Sequence, residues 1–262
     1  MTEMIHENLI RLYKAITKYN TIYIIMPLMS YGDLSFLLSF KYPNGIKDEV
    51  AIATIMRDCL KAIECLNEHN YFHRDIKASN ILLASNGSCR LGDFGVSTVI
   101  KKGGGNDSYV GSLCWMAPEI AQGAEYNFKV DIWSLGITAI EIANGKPPFL
   151  GLTPFEYIKT VVNDAEPQLV DGKHVWSQEF KDFVKSCLVK DPKQRPCATE
   201  ILTMNKKFFE KAKDNNYILK NLLVGIPTLQ ERVSNHYLII SFQKQVHMER
   251  AIRRIKHQKR IK

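Results

Sequence analysis

Asp75 stands two residues before Lys77 and five before Asn80, and Asp93 follows thirteen residues after Asn80. A carboxylate at Asp75 can accept the proton of a hydroxyl, and the Lys77 ammonium can neutralise an anionic group held on the same side. Asn80 and Asp93 supply the hard oxygen atoms that a magnesium ion takes. Such a set works by positioning and charge stabilisation more than by covalent chemistry. The motifs, in chain order, are Tyr71-Phe72-His73-Arg74-Asp75-Ile76-Lys77-Ala78-Ser79-Asn80, Asp93-Phe94-Gly95, Ala117-Pro118-Glu119, Asp131-Ile132-Trp133-Ser134-Leu135-Gly136 and Asp191-Pro192-Lys193-Gln194-Arg195-Pro196. Asp131 heads an apolar helix, so its carboxylate must be hydrogen-bonded, with backbone amides of the 73–80 loop as the expected partners. Arg195 is placed to pair with Glu119. Any one tripeptide is weak evidence, because a single Asp is more often a cap or a turn. Five motifs in this order and at these gaps exclude coincidence.

The motifs resemble those of the protein kinase family, over residues from about 5 to 215. The resemblance implies an α+β, protein-kinase-like fold, with a complete helical C-lobe and a truncated N-lobe. It also implies transfer of the γ-phosphoryl of ATP to protein Ser or Thr hydroxyls, with ATP and Mg²⁺ as cofactors. Asp75 becomes the base or orienting group, Lys77 the charge stabiliser, and Asn80 and Asp93 the metal ligands. The nucleotide would be held by Met29, Asp33, Lys77, Asn80, Leu82 and Asp93. In this picture Met26 ends the central strand, the Met29 backbone faces the adenine, Asp33 bonds the ribose and Leu82 lies under the base. Leu12, His73 and Phe94 form a stacked apolar column, and Arg74, Glu119, Asp131 and Arg195 are structural.

Lys77 is the serine/threonine type of loop residue. The segments 108–119 and 131–141 resemble the sterile-20-like kinases. Phe208–Lys213 and Ile226–Arg232 are similar to the oxidative-stress-responsive and proline-alanine-rich branch, which implies stress or osmotic signalling. Two regulatory serines follow from the resemblance. Ser108 matches the activation-loop phosphorylation site, where a phosphate adds about −1.5 to −2 charge and could dock on Arg74, and this implies an upstream activating kinase. Ser112 matches the residue that hydrogen-bonds the catalytic aspartate.

Elements must position these residues. Thr21–Met26 reads as a strand stopped by Pro27. Asp48 to His69 carries an apolar stripe at helical spacing, with Asp48 as N-cap. Ile81–Ala84 and Cys89–Leu91 flank an Asn-Gly turn and read as a hairpin. Val130–Ala143 is apolar nearly all round, hence buried, and ends at Asn144-Gly145. Further helices are expected over Pro154–Val162, Ser177–Val189 and Ala198–Lys213. The domain reading is an N-lobe remnant and hinge over 1–29, the C-lobe over 30–215 and an extension with a basic tail over 216–262.

The 262 residues bury enough surface to need no disulfide staples. Six cysteines occur with no C-x-x-C pair, so neither a zinc site nor a disulfide framework is indicated, and a reducing home, cytoplasmic or nuclear, fits. No stretch reaches the roughly 18–20 apolar residues of a membrane span. The net charge of +8 is concentrated toward Lys244–Lys262, read as a solvated extension; nucleic-acid binding is not expected, since no aromatic platform accompanies it.

The glycine-rich loop, strand lysine and helix glutamate of the resemblance are not found before residue 26. His6-Glu7-Asn8-Leu9-Ile10 resembles the stretch just after that helix. Two accounts compete: a chain that begins inside a longer kinase, or a degenerate kinase that acts as a non-catalytic scaffold. The intact C-lobe residues favour the first.

Overall fold

The computed structural model describes residues 4–19, 21–93, 98 and 99, and 112–234. Phe94, the glycine-rich stretch 101–107, Ser108 and the basic tail lie outside the described residues. The chain divides into two compact units, Met1–Ile226 and Pro227–Lys262.

The first unit opens with β1 (Lys14–Lys18) and β2 (Thr21–Ile25), an antiparallel pair in which Lys14 faces Ile25. Every residue of both strands is exposed. β3 (Gly32–Asp33) leads directly into α1 (Leu34–Lys41), whose first turn is capped by the Asp33 side chain. α2 (Glu49–Glu68) begins where Asp48 accepts from the Val50 and Ala51 amides, and its apolar stripe is fully buried. β5 (Ile81–Leu83) and β6 (Cys89–Leu91) form the expected hairpin, which β3 joins in the order β3–β5–β6. β4 (Tyr71–Phe72) pairs with β7 (Thr98–Val99). The segment 73–80 therefore leaves one short strand and enters another, with both ends pinned.

After the short α3 (Pro118–Ala121) comes α4 (Val130–Asn144), the centre of the unit. All its residues from Val130 to Ala143 are buried, and Gly145 ends it at φ 81°, a conformation that favours glycine. α2 packs on one side of α4, and α6 (Gln178–Cys187) on another. α5 (Pro154–Asn163) starts with a Thr153–Glu156 capping box, and α6 with Ser177 as its cap.

The helix expected over Ala198–Lys213 is instead two, α7 (Ala198–Met204) and α8 (Lys206–Phe209). Asn205 divides them: it is buried, and its amide donates to Ser186 Oγ and to the Ile201 carbonyl. The break lets Phe208 turn inward and stack on Phe180 and Phe183, with centroids 5.1 and 5.0 Å away. α9 (Asn215–Tyr217) continues as a π-turn over Ile218–Leu222, and the core runs on through Leu223 to Ile226. In the second unit the described part holds α10 (Leu229–Ser234), opened by a reciprocal Thr228–Glu231 cap.

At Gly136 α4 lies close against the C-terminal end of α6: a Cβ there would lie 2.7 Å from Cys187 Cβ and 2.8 Å from Leu188 Cδ2, just past the helix end. Gly136→Ala is expected to lower stability by about 1 kcal/mol or more, because overpacking outweighs the better helix propensity of Ala. Chemical denaturation checks this, and an unchanged midpoint would mean the two helices part at no cost.

Candidate active site

The loop between β4 and β5 is shaped from beneath by one buried carboxylate. Asp131 is fully buried at the first turn of α4; its Oδ2 accepts from the His73 amide at 2.7 Å and its Oδ1 from the Arg74 amide at 2.8 Å. Burial pushes the Asp131 carboxyl up, while the His73 and Arg74 contacts act against the rise. Two successive amides aimed at one carboxylate hold Arg74 at φ 68°, where a non-glycine residue is strained. The Arg74 guanidinium donates to the Tyr126 hydroxyl at 3.2 Å and lies over the Phe72 ring. His73 is fully buried. The Asp75 N–H donates to its Nδ1 at 3.3 Å, so Nε2 carries the ring proton and donates to the Gly92 carbonyl at 2.9 Å.

The kink brings Asp75, Lys77, Asn80 and Ser112 together. Lys77 Nζ donates to Asp75 Oδ2 at 2.6 Å and to Ser112 Oγ at 2.5 Å. Asn80 Nδ2 donates to the same Oδ2 at 2.9 Å and to the Asp75 carbonyl at 2.7 Å. The Ser112 amide donates to Oδ1 at 3.1 Å. Burial works to raise the Asp75 carboxyl, but the hydrogen bond and charge of Lys77, with the bonds from Ser112 and Asn80, outweigh it and hold the group below the usual range. The Gly92 N–H donates to the Asn80 carbonyl at 2.9 Å, which ties the residue before Asp93 to this cluster. Asp93 itself is exposed, at φ 62°. With its amide nitrogen turned to Asp75, Asn80 presents an oxygen elsewhere. That oxygen and the Asp93 carboxylate suit a magnesium ion, which takes one or two protein ligands alongside substrate phosphates.

The other expected nucleotide residues are placed as follows. The Met29 side chain is buried, and its carbonyl accepts from the Gly32 amide at 2.9 Å. Asp33 caps α1, its Oδ1 accepting from Phe36 N at 3.0 Å and from the Ser35 hydroxyl. Leu82 lies opposite both Asp33 and Arg90 in the β3–β5–β6 sheet. Leu12 is half-buried.

Residues 1–209 match the family model described as the protein kinase domain. The chain belongs to the protein kinase domain family. It is 39% identical over 230 residues to the serine/threonine-protein kinase fray2 of Dictyostelium discoideum, covering 87% of this chain and 22% of that protein. It is 40% identical to the serine/threonine-protein kinase fray1 of the same organism, covering 87% and 40%, and 34% identical to germinal center kinase 3 of Caenorhabditis elegans, covering 94% and 45%. The chain thus spans less than half the length of these curated relatives. The resemblance to sterile-20-like serine/threonine kinases, read from segments 108–119 and 131–141, is borne out.

Within this kinase domain, α4 also contributes groups that sequence reasoning did not single out. Ser134, Thr138 and Glu141 follow the already expected Asp131 at intervals of three, four and three, so all four share one side of the helix. Ser134 Oγ donates to the Trp115 carbonyl at 2.8 Å, and Thr138 Oγ1 to the Ile76 carbonyl at 3.2 Å. Glu141 Oε2 accepts from the Ala78 amide at 3.0 Å and from Trp115 Nε1 at 2.9 Å. A polar stripe inside an apolar helix was the available signal.

The Glu119–Arg195 pair forms as expected, bidentate at 2.7 and 3.0 Å. The guanidinium is fully buried, and its other donors reach the carbonyls of Val189, Lys129 and Lys190. All five N–H groups are satisfied. Arg195→Met leaves Glu119 buried and unpaired, and it is expected to cost about 3–5 kcal/mol in a denaturation measurement. A loss below 1 kcal/mol would show that the kinase domain tolerates the lone carboxylate.

Burial pushes the Glu141 carboxyl from 4.5 up to about 7, against the Ala78 and Trp115 bonds. Between those pH values the folded chain holds a proton that the unfolded chain has lost. Stability should therefore fall as pH rises from 4.5 to 7, by about 3 kcal/mol at most, and level off above. Thermal melts across this window check it: Glu141→Gln should remove this part of the slope, and an identical profile would refute the assignment.

Proposed function

We propose that this chain carries the phosphoryl-transfer residues of a serine/threonine protein kinase, acting on protein hydroxyls with ATP. The observation that carries the reading is the Asp75–Lys77–Asn80–Ser112 cluster, a carboxylate fixed by an ammonium, an amide and a loop N–H. Kinases of this family use ATP and Mg²⁺. Asn80 and Asp93 would hold the magnesium, which when bound neutralises phosphate oxygens. Asp75 orients the attacking hydroxyl and receives its proton as the hydroxyl oxygen bonds to phosphorus and the bond to the ADP oxygen breaks. Lys77 offsets charge on the transferred group. Met29, Asp33 and Leu82 are assigned to the nucleotide.

Ser112 is the hydroxyl that links the substrate-binding segment to Asp75, and its contact with Lys77 supports that role. Ser108 is proposed as the site at which an upstream kinase adds phosphate, with Arg74 as its dock. The protein substrates come from the kinase resemblance, the stress or osmotic setting from the branch resemblance, and the cytoplasmic location from the cysteine usage.

The glycine-rich loop, strand lysine and helix glutamate expected of such an enzyme are not found in residues 1–262, so the chain alone is expected to transfer phosphate at a negligible rate. The test is phosphate transfer from labelled ATP by the native protein, captured from its source with an antibody to the C-terminal tail. Transfer by the native protein, reduced at least a thousandfold by Asp75→Asn, is the expected result. No transfer with magnesium present would overturn the reading in favour of a partner-binding scaffold, whose associations Asp75→Asn would leave unchanged.

A further inference from the structure

Between α4 and α5 runs an uncharged stretch that the core does not absorb. Residues 147–155 read Pro-Pro-Phe-Leu-Gly-Leu-Thr-Pro-Phe, with charges only at the borders, Lys146 and Glu156. Leu150 is 63% exposed. Phe155 is 79% exposed, more than any other large hydrophobic among the described residues except Tyr19, between β1 and β2. A single exposed apolar residue needs no explanation, but two on one uncharged stretch make a surface of the kind that binds protein.

The backbone holds both residues outward. Phe149 sits at φ 66°, where a non-glycine residue is strained, and its partly buried ring meets Tyr157 edge-on with centroids 5.7 Å apart. The Phe149 carbonyl accepts from the Leu152 amide at 3.2 Å, closing a turn with Leu150 and Gly151 at its corner. α5 then begins at the Thr153–Glu156 cap, which occupies the nearest carboxylate. Phe155 and Tyr157 stand two residues apart on α5, hence on opposite sides: Tyr157 is buried and Phe155 faces solvent.

The same residues brace the segment that reaches Asp75. The Cys114 thiol donates to the Phe149 carbonyl at 3.7 Å, and the Tyr157 hydroxyl to the Met116 carbonyl at 2.5 Å. Ser112, whose amide meets Asp75 and whose hydroxyl meets Lys77, stands two residues before Cys114. From Ser112 to Leu150 the path is therefore two residues, one side-chain contact and one peptide unit. An extended peptide gains about 3.3–3.6 Å per residue, so about six residues at most separate a hydroxyl held at Asp75 from Leu150.

We infer that Leu150 and Phe155 form a docking surface for protein substrates, taking an apolar side chain that lies within about six residues of the hydroxyl to be phosphorylated. The inference rests on the proposed transfer to protein hydroxyls. The occupant is a substrate because the surface is continuous with the segment that presents Ser112 to Asp75, and a serine/threonine protein kinase takes a polypeptide there. Its chemistry is apolar because the stretch offers an aromatic and an aliphatic side chain and no charge.

The test is transfer from labelled ATP by the native protein and its variants, made in the source cells and captured with the tail antibody. The acceptors are two pools of random-sequence peptides with a central serine or threonine, one of five-residue and one of seventeen-residue peptides. The long pool is expected to be used at least fivefold more efficiently, with the gain in KM, and its phosphorylated members should be enriched in Leu, Ile, Met and Phe. Leu150→Lys and Phe155→Lys should each cut the ratio of long to short at least twofold, and together bring it to one, at an unchanged melting temperature. Equal use of the two pools by the native protein, or a ratio that survives both substitutions, would overturn the inference and leave the transfer reading standing. No transfer to either pool would overturn both. Light scattering should give one mass for the native protein and the double variant; a dimer that the substitutions split would assign the surface to a second copy and overturn the inference.

Discussion

Asp131 imposes the constraint from which the rest of the site follows. A carboxylate removed from water at the head of an apolar helix has to be compensated, and here both oxygens take amides of adjacent residues, His73 and Arg74. Two neighbouring amides can converge on one carboxylate only if the backbone turns sharply, which puts Arg74 in the left-handed region. The strain of that turn, of order 1–3 kcal/mol, is offset by two charge-assisted hydrogen bonds. The turn sends the chain back over α4 so that Asp75, Lys77 and Asn80 meet on the outer side of the loop, while His73 is buried on the inner side. Burial and site geometry thus have one cause.

α4 acts as the scaffold because its polar stripe is matched to two segments at once. Asp131, Thr138 and Glu141 reach the loop at residues 73, 74, 76 and 78, and Ser134 and Glu141 reach Trp115. The Ser112 that touches Asp75 and Lys77 lies three residues before Trp115. A rigid helix therefore sets the distance between the loop that holds Asp75 and the segment that supplies Ser112. Glu119 and Arg195 anchor the far end of that segment by the same logic, a buried ion with every donor satisfied.

The sequence made the long helices legible because their ends are written chemically: Asp48 and Ser177 are side-chain caps, and Asn144-Gly145 is a stop. The hairpin around Asn86-Gly87 was legible for the same reason. The two-residue strands β3, β4 and β7 were not, since a period of two cannot show in two residues and their pairing is set by tertiary contacts. The split at Asn205 escaped because helical periodicity runs through it; what breaks the helix is a bond to Ser186 on another helix. In the site, Asp131 and the Glu119–Arg195 pair could be read because a buried charge has few ways to be satisfied. Glu141 obeys the same rule, yet it sits among apolar neighbours far in sequence from the segments it joins. Asp33 shows the opposite case, a carboxylate read for a ligand that the fold also uses as a helix cap.

The electrostatics of Asp75 bear on what it contributes under the proposed reaction. A general base is most effective when its pKa lies near the working pH. Asp75 is held below the usual carboxylate range by Lys77, Ser112 and Asn80, so it is ionised at neutral pH and weakly basic. The same bonds that lower its basicity remove its freedom to rotate: one oxygen carries Lys77 and Asn80, the other the Ser112 amide. A carboxylate so fixed contributes mainly by aligning the hydroxyl that hydrogen-bonds to it, and by accepting the proton once transfer to phosphorus is well advanced and the oxygen has become acidic. Phosphoryl transfer with a loose transition state asks for little base strength and much alignment, and that is the compromise this loop makes.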